Sequence, residues 1–379
     1  MTTHVFIVDE RTFQYHLQYM FAGTGAGEKD VDFNGKTEST LYYGKKHAAE
    51  SGLVYMMADC CRVREGDLIL FYLQATSTQE GRFYGVFKAL GDAFLDRKDN
   101  PQFLNTQLGK NLTFRVRIAP DEVYGKGVSE WKALDEIRCI SSPCQMLWSL
   151  IYRKLKGNRG NTMITIYESE RLVDLIRRAN DNTPLPNLSS YAYRSGEVVA
   201  SNDPRQYTGS IEPFNILPRL IQLHNIGRAH EAHLQMYITQ HVGRNADLDQ
   251  ALGLTTGSVE WIGNEVSCGV GMQRIDVMIS KRISASQRMI IPIELKAVPV
   301  YEDCLKQVNR YVDWIEQYYV PNRVSTIQPV LLCKASALTE EIKQAFNAFN
   351  IAAHGRHLPL KYVEYSISEN DIHFVSRAY

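Results

Sequence analysis

The chain has little of what marks a disulfide-stabilised or zinc-binding protein. It contains 7 cysteines among 379 residues, an odd number, and no two of them form a Cys-x-x-Cys pair. Closely spaced cysteine pairs are typical of structural zinc sites, and an even, regularly spaced set is typical of disulfide frameworks. The pattern therefore argues against both classes. It favours a reducing compartment, and we expect a cytoplasmic protein.

Long apolar segments are also absent from the sequence. No stretch approaches the roughly 18 consecutive apolar residues that a membrane-spanning helix needs. The first residues, MTTHVFIVDERTF, have neither the positively charged region nor the apolar core of a signal peptide. We therefore expect a protein with no membrane segment.

The chain has no excess charge of either sign, because 42 Lys and Arg residues balance 42 Asp and Glu residues. Many DNA-binding proteins are basic overall, so any nucleic-acid surface here must be a local patch that acidic residues offset elsewhere. The hydrophobic fraction of 44% and the charged fraction of 22% are those of an ordinary globular protein. At this length, two domains are expected.

A change in composition at about 181–215 predicts where the two domains meet. This segment is rich in Pro, Ser, Asn and Gly and has no apolar periodicity, which is typical of a linker or a long loop. We predict a first domain at 1–180, a linker at 181–212 and a second domain at 213–379. The fold class is predicted as α/β (α+β).

The first domain has the alternating apolar pattern of half-buried strands, with helical patterns at Met146–Lys154 and Glu168–Arg178. A small, strongly curved β-barrel with peripheral helices is the architecture that we expect. The predicted strands begin with VFIVDE and continue with Asp67–Gln74, Arg82–Leu90, Leu112–Ile118 and Thr162–Tyr167.

The second domain alternates helical and strand patterns, which predicts a mixed sheet between helices. The predicted helices are Ile216–Val242, Glu302–Tyr319 and Thr339–Asn350. The predicted strands are Val259–Glu265, Gln273–Ser280, Met289–Leu295, Val330–Lys334, Lys361–Ser366 and Ile372–Val375.

Two neighbouring strand patterns carry charges inside apolar runs. The first, GMQRIDVMIS, contains Asp276, and the second, MIIPIELKAV, contains Glu294 and Lys296. Glu294 and Lys296 are two residues apart, so both project from one face of a strand. An exposed surface ion pair is the simple alternative, but charges in apolar strands are costly unless they meet partners or a metal. Two carboxylates converging from paired strands suit Mg²⁺, and a lysine beside them can position the attacking water.

The pattern Asp276…Glu294-Leu295-Lys296 resembles the signature of PD-(D/E)XK nucleases. The segment Gly271–Asp276, which includes Arg274, resembles the "GRID" segment of NucS/EndoMS-like DNA endonucleases, although it is longer. This resemblance implies a mixed-sheet nuclease core in the second domain. Pro292 departs from the expected pattern, because proline is unusual in a central strand.

Other residues extend this resemblance over about 110 residues in the order of the family. Glu231 matches the helical glutamate that completes the metal site in the superfamily, and Glu265 occupies a position that is often acidic in the NucS group. Gln307 and Tyr311 match the QxxxY motif and share one helical face, since they are four residues apart. An ordinary polar helix face is the alternative interpretation of this pair.

The first domain resembles PUA-like folds of the EVE, YTH and ASCH group through its segment 62–92. In this segment a Gly-Asp turn precedes an aromatic strand and then a Gly-Val strand. The resemblance implies a pocket of aromatic side chains that holds a modified base. Most aromatic residues of a small barrel belong to its core, which is the alternative for each of them. The adjacent Tyr42 and Tyr43 cannot both face the core of a strand.

Together these features predict a Mg²⁺-dependent DNA endonuclease, for which Mn²⁺ is the expected substitute. The leading hypothesis is a modification-dependent restriction enzyme that acts on double-stranded DNA as a homodimer. The alternatives are a NucS/EndoMS-like repair endonuclease and a non-catalytic nucleic-acid-binding protein. The resemblance implies catalytic Asp276, Glu294, Lys296, Glu231 and Gln307, of which Asp276, Glu294 and Glu231 ligate the metal. The predicted substrate-binding residues are Tyr42, Tyr43, Lys45, Tyr72, Trp131, Arg274 and Tyr311.

Overall fold

The computed structural model gives a mixed α/β protein whose described residues form two large sheets, a small two-stranded sheet and helices. The chain divides into two compact units. Unit 1 comprises 1–141 and 145–215, and unit 2 comprises 142–144 and 216–379. The structure describes residues 1–25, 50–96, 102–135, 140–148, 160–269, 273–321 and 323–379.

Unit 1 is built on a curled half-barrel sheet. Its strands are β1 Thr3–Val8, β2 Phe21–Thr24, β3 Leu68–Leu73, β4 Arg82–Ala89, β5 Phe94–Leu95, β6 Phe114–Pro120, β7 Val128–Ser129 and β8 Asn161–Ile164. Its helices are α1 Glu10–Tyr19, α2 Glu50–Cys61, α3 Asn105–Leu108, α4 Glu130–Asp135 and α5 Ile166–Ala179. The strand order is β2-β6-β4-β3-β1-β8, with β5 paired to β6 and β7 paired to β4.

The first four strands and the second helix that the sequence predicts in this unit are confirmed. Apolar and aromatic residues fill β3 and β4, as is usual for strands that pack on both sides. The fifth predicted strand is shorter than expected, because Thr165 caps α5 by accepting the N–H of Glu168 while Glu168 accepts the N–H of Thr165. Met146–Lys154, predicted as a helix, lies largely outside the described residues.

The segment that the sequence marks as a linker contains a two-stranded sheet. Its strands are β9 Tyr191–Arg194 and β10 Glu197–Ala200, joined by Ser195 and Gly196, which both have positive φ. Two such residues form the tight turn that matches the twist of a hairpin. Tyr191 and Val198 are buried, and the segment groups with unit 1.

Unit 2 is built on a mixed sheet. Its helices are α6 Leu217–Asn225, α7 Glu231–His241, α8 Ala246–Leu252, α9 Asp303–Trp314 and α10 Glu340–Ala352. Its strands are β11 Val259–Ser267, β12 Arg274–Arg282, β13 Arg288–Lys296, β14 Ser325–Ile327, β15 Val330–Lys334, β16 Lys361–Ile367 and β17 Ile372–Arg377. The order is β11-β12-β13-β15-β16-β17, with β14 paired to β13. Strands β11, β12 and β13 are antiparallel, whereas β13, β15 and β16 are parallel.

The six strands predicted for unit 2 are confirmed, but the single long helix predicted at Ile216–Val242 is wrong. Two helices, α6 and α7, replace it. Gly227 has φ of 70° and donates its N–H to the carbonyl of His224, so the chain leaves the helical path after α6. The predicted helix at Glu302–Tyr319 is confirmed as α9 followed by a π-helical turn at Ile315–Tyr319.

The unusual Pro292 is explained by a break in the strand beside it. On that side of β13, β14 pairs as far as Ile290 with Ile327, and β15 pairs from Ile293 with Val330. Pro292 therefore lies where the neighbouring chain passes from one short strand to the next. Since proline has no N–H to donate, this is a position where a central strand tolerates it.

None of the described helices is both long and apolar enough to cross a lipid bilayer.

Candidate active site

Adjacent strands bring Asp276 and Glu294 to the same place in the sheet. Strands β12 and β13 pair in antiparallel register up to Val277 with Ile293, so Asp276 and Glu294 are the next residues facing each other. The backbone N–H of Leu295 donates to Oδ2 of Asp276 over 2.8 Å. The two carboxylates that the sequence singles out are therefore neighbours.

Glu294 is 1% exposed and is held through both oxygens. The hydroxyl of Tyr311, on α9, donates to its Oε2 over 2.5 Å. The ammonium of Lys296 lies 2.5 Å from its Oε1. Tyr311 and Lys296 thus fix the orientation of the Glu294 carboxylate within an apolar strand.

Glu231 reaches the same group from the first turn of α7. Its Oε1 lies 3.9 Å from Nζ of Lys296, and its Oε2 accepts the N–H of Ala297 over 3.4 Å. The break at Gly227 ends the preceding helix and lets α7 begin at this glutamate.

A fourth carboxylate, Glu265, lies opposite Asp276 on β11. The register pairs Asn264 with Val277 and Val266 with Ile275, which leaves Glu265 facing Asp276 between these pairs. Its φ of 52° is in the left-handed region, a conformation that costs about 1–3 kcal/mol for a residue of this kind. We call Glu231, Glu265, Asp276 and Glu294 the carboxylate cluster.

Two further side chains hold Glu265 and Asp276. Nη1 of Arg274 lies 2.7 Å from Oε2 of Glu265. Nε2 of Gln235 donates to the backbone carbonyl of Asp276 over 2.6 Å and lies 3.3 Å from Oε1 of Glu265. Gln235 is four residues after Glu231, so both project from one face of α7. Gln235 is not among the predicted site residues, and its spacing from Glu231 is the sequence signal that could have identified it.

Burial and mutual repulsion change the protonation of the cluster. Burial, followed by the negative charge of Glu294, raises the pKa of Asp276 well above its ordinary value. Burial also raises the pKa of Glu231. Burial alone would lower the pKa of Lys296, but the charge of Glu294 and its contact with the ammonium raise it. Lys296 is therefore a permanent cation at neutral pH.

The composition of the cluster fits a divalent cation. Four carboxylates face two cationic side chains, Lys296 and Arg274, so the fully ionised cluster carries two excess negative charges. Burial is the main cause of the raised pKa of Asp276, and the negative charges of Glu294 and Glu231 raise it further. Oxygen ligands of this kind are the ones that Mg²⁺ prefers. Within the described residues, however, no three His, Cys, Asp or Glu side chains already have the arrangement of a metal site.

The other predicted site residues lie in different surroundings. Gln307 is half-buried on α9, one turn before Tyr311. Tyr72 belongs to the core of unit 1, where its hydroxyl donates to Glu130 over 2.6 Å. Trp131 is 56% exposed on α4. The remaining predicted substrate-binding residues, Tyr42, Tyr43 and Lys45, lie outside the described residues.

No protein-family model matches the chain, and no curated protein matches it either.

Proposed function

We propose that the chain is a metal-dependent DNA endonuclease whose unit 2 is a PD-(D/E)XK nuclease domain. The carboxylate cluster is the observation that carries this proposal. Asp276 and Glu294 face each other on paired strands, and Lys296 and Glu231 lie beside them. The mixed sheet of unit 2, with the cluster on adjacent strands, agrees with the core that the resemblance implies.

In this proposal Asp276, Glu294 and Glu231 hold Mg²⁺, for which Mn²⁺ can substitute. The bound ion would supply a water of lowered pKa and would offset charge on the phosphodiester. Lys296, already a cation, orients the attacking water and stabilises the negative charge that develops on the phosphoryl oxygens. Tyr311 keeps Glu294 in position through its hydrogen bond, and Gln307 helps to orient the substrate side of the site.

Unit 1 is proposed as a PUA-like reader that directs the nuclease to a modified or flipped base. The curled half-barrel sheet and its aromatic strands support this assignment. A reader joined to a hydrolytic domain is the arrangement expected of a modification-dependent restriction enzyme, and duplex cleavage by one site per chain favours a homodimer.

A repair endonuclease of the NucS type is the second candidate. The observation that favours it is the pair between Glu265 and Arg274, because Arg274 belongs to the segment that resembles the GRID element. The same cluster would serve both activities, so the two candidates differ in the DNA that unit 1 selects.

Cleavage assays with defined plasmids and oligonucleotides test the proposal. We expect Mg²⁺-dependent cutting of methylated plasmid, little cutting of unmodified plasmid, and no cutting with EDTA. Preference for mismatched oligonucleotides would favour the repair enzyme instead. Lys296→Ala should lower the rate about 100-fold or more, as loss of a transition-state charge does.

Lys281 provides a matched control, because it lies on β12 and donates to the carbonyl of Gly253 rather than to the cluster. Lys281→Ala should cut at the rate of the wild type. If the wild type cuts no DNA or RNA and Lys296→Ala binds nucleic acid as before, only a non-catalytic binding protein remains.

A further inference from the structure

A cleft in unit 1 has the lining of a nucleotide site, and the described residues that line it include none of those that the sequence assigns to substrate binding. Its volume is about 490 Å³, within the usual range for small-molecule sites. The lining contains two arginines and two tyrosines, and none of its described residues is acidic. Arg205 is paired with Asp203, so Arg117 supplies the positive charge of the lining that would attract an anionic ligand.

Arg117, on β6, is the lining residue best placed to hold a phosphate. Its side chain is exposed, and within the described part of the chain its guanidinium forms no hydrogen bond or ion pair. Its neighbour along the strand, Arg115, differs in being buried and paired with Asp96 over 2.9 Å. Arg117 therefore offers a full set of N–H donors to a ligand, in the planar geometry that matches phosphate oxygens.

Arg205 offers a flat surface instead of free donors. Its Nε and Nη2 donate to Oδ2 of Asp203 over 3.0 and 2.8 Å, and its Nη1 donates to the hydroxyl of Tyr19 over 3.2 Å. The guanidinium carbon lies 5.7 Å from the centre of the Tyr19 ring. Since hydrogen bonds occupy part of the edge of the guanidinium and the Tyr19 ring lies on one side of it, the opposite face is what remains for a ligand, and nucleobases stack on such faces.

Two other lining residues suit a base. Leu90 is 51% exposed at the cleft and offers an apolar surface on which the flat face of a base can pack. Gln206 is exposed beside Arg205 and has the amide group that can form paired hydrogen bonds with a base edge.

We propose that this cleft binds a nucleotide, with its phosphate on Arg117 and its base stacked on the Arg205 guanidinium. The nucleotide is either a unit of a DNA strand or a free mononucleotide, because both present the same phosphate and base. The idea that the nucleotide is part of a DNA strand rests on the proposed endonuclease function, whereas nucleotide binding by the cleft does not.

Binding of deoxyadenosine monophosphate, measured by calorimetry, and of a fluorescent 12-residue DNA single strand, measured by anisotropy, tests this site. Arg117→Gln should weaken binding of the mononucleotide about tenfold or more and should lower the salt dependence of strand binding by roughly one phosphate contact. Arg205→Lys keeps the charge but removes the flat face, so it should also weaken binding several-fold.

Arg194→Gln is the matched control, because Arg194 is an exposed arginine on β9 that does not line the cleft. It should bind both probes as the wild type does. Weaker binding of both probes by Arg117→Gln identifies DNA as the source, and weaker binding of the mononucleotide alone identifies the free nucleotide. Equal binding by Arg117→Gln and Arg194→Gln would overturn the proposal, and so would equal affinity for deoxyadenosine without its phosphate.

A cluster variant separates this inference from the proposed function. Glu294→Gln should lose cleavage and keep nucleotide binding. If the wild type cleaves no DNA, and Arg117→Gln still loses nucleotide binding, the endonuclease proposal fails and the proposal of nucleotide binding at the cleft is supported. If the wild type cleaves DNA and Arg117→Gln binds as Arg194→Gln does, the cleft proposal fails alone.

Discussion

Asp276 and Glu260 are both carboxylates in the sheet of unit 2, and their surroundings give them opposite behaviour. Burial by itself would raise the pKa of either group. Hydrogen bonds from Arg288 and Arg282 more than offset burial at Glu260 and lower its pKa. At Asp276 the charge of Glu294 adds to burial, and the pKa rises. Glu260 therefore stabilises the fold as an anion, whereas the Asp276 anion is unfavourable because the N–H of Leu295 and the charge of Lys296 only partly offset burial and the charge of Glu294.

This contrast predicts that Asp276→Asn stabilises the metal-free protein at neutral pH. A group whose pKa is raised by folding contributes stability below its unfolded pKa and loses it as pH rises through the folded value. In EDTA, the stability of the wild type should therefore fall relative to that of Asp276→Asn as the pH rises from the acidic to the neutral range. We expect a difference of about 1–3 kcal/mol in the free energy of unfolding at the upper end, measured by urea titration.

Glu260→Gln is the control, and it should change the free energy of unfolding in the opposite direction. Its lowered pKa means that its contribution is present above the unfolded pKa and is lost as pH falls, so this variant should be less stable than the wild type at neutral pH. Equal stability of the wild type and Asp276→Asn at every pH would contradict the repulsion that we infer within the cluster.

Sequence reasoning could predict the charges of the site because they interrupt apolar strands, but not all of their partners. Asp276, Glu294 and Lys296 stand out in their runs, and the structure brings them together. Gln235 is not a charge in an apolar strand, and a glutamine on a helix is ordinary, so only its spacing of four residues from Glu231 links it to the site. Tyr72 is also ambiguous, because the sequence pattern of an aromatic residue in a strand is the same whether its side chain packs in the core or lines a pocket. The structure places Tyr72 in the core.

At the scale of elements, the break between α6 and α7 determines where Glu231 lies. The apolar pattern over 216–242 is continuous, and a single glycine in a helical pattern does not require a break. What the sequence could not show is that Gly227 adopts a positive φ. The hairpin of β9 and β10 was missed for a related reason, because its strands are only four residues long within a segment rich in loop residues.

Gly227→Ala should destabilise unit 2 by about 1 kcal/mol, because a side chain disfavours φ of 70°. No atom of the described residues lies within 4 Å of the added methyl group, so the backbone conformation sets the expected effect. The rate of plasmid cleavage should fall together with the stability if the substitution shifts the start of α7. Thermal unfolding and the plasmid assay measure the two effects.

Gly52 is the matched control, since it is an exposed glycine in α2 whose added methyl group would also have no neighbour within 4 Å among the residues that the structure describes. Gly52→Ala should stabilise the protein by about 0.5–1 kcal/mol through helix propensity. A Gly227→Ala protein that is as stable as Gly52→Ala would show that Gly227 does not end the helix in solution.

At the scale of the whole molecule, the two units carry local sites of opposite charge. The cluster of unit 2 collects carboxylates, and the cleft of unit 1 is lined by arginines, so a chain with no net charge carries local sites of both signs. The sequence predicted two domains and the alternation of unit 2. It could not predict the cleft, because Tyr19, Arg117 and Arg205 are far apart in the chain and meet only in the folded unit.

The proposal of one active site per chain predicts a homodimer during duplex cleavage. Sedimentation of the protein with a cleavable duplex and Ca²⁺ in place of Mg²⁺ should give twice the chain mass of 43.2 kDa on one DNA. With Mg²⁺, plasmid should become linear in a single encounter at high enzyme concentration and accumulate nicked circles at low concentration. A single chain that linearises plasmid without a nicked intermediate would contradict this expectation.

The most direct test of the cluster is Mn²⁺ binding followed by electron paramagnetic resonance of the free ion, because it needs no knowledge of the DNA substrate. The wild type and Glu260→Gln should each bind one Mn²⁺ per chain, and Asp276→Asn should bind it at least about tenfold more weakly, as loss of a carboxylate ligand implies. Unchanged Mn²⁺ affinity in Asp276→Asn, or no binding by the wild type at millimolar Mn²⁺, would contradict a metal-dependent nuclease centred on this cluster.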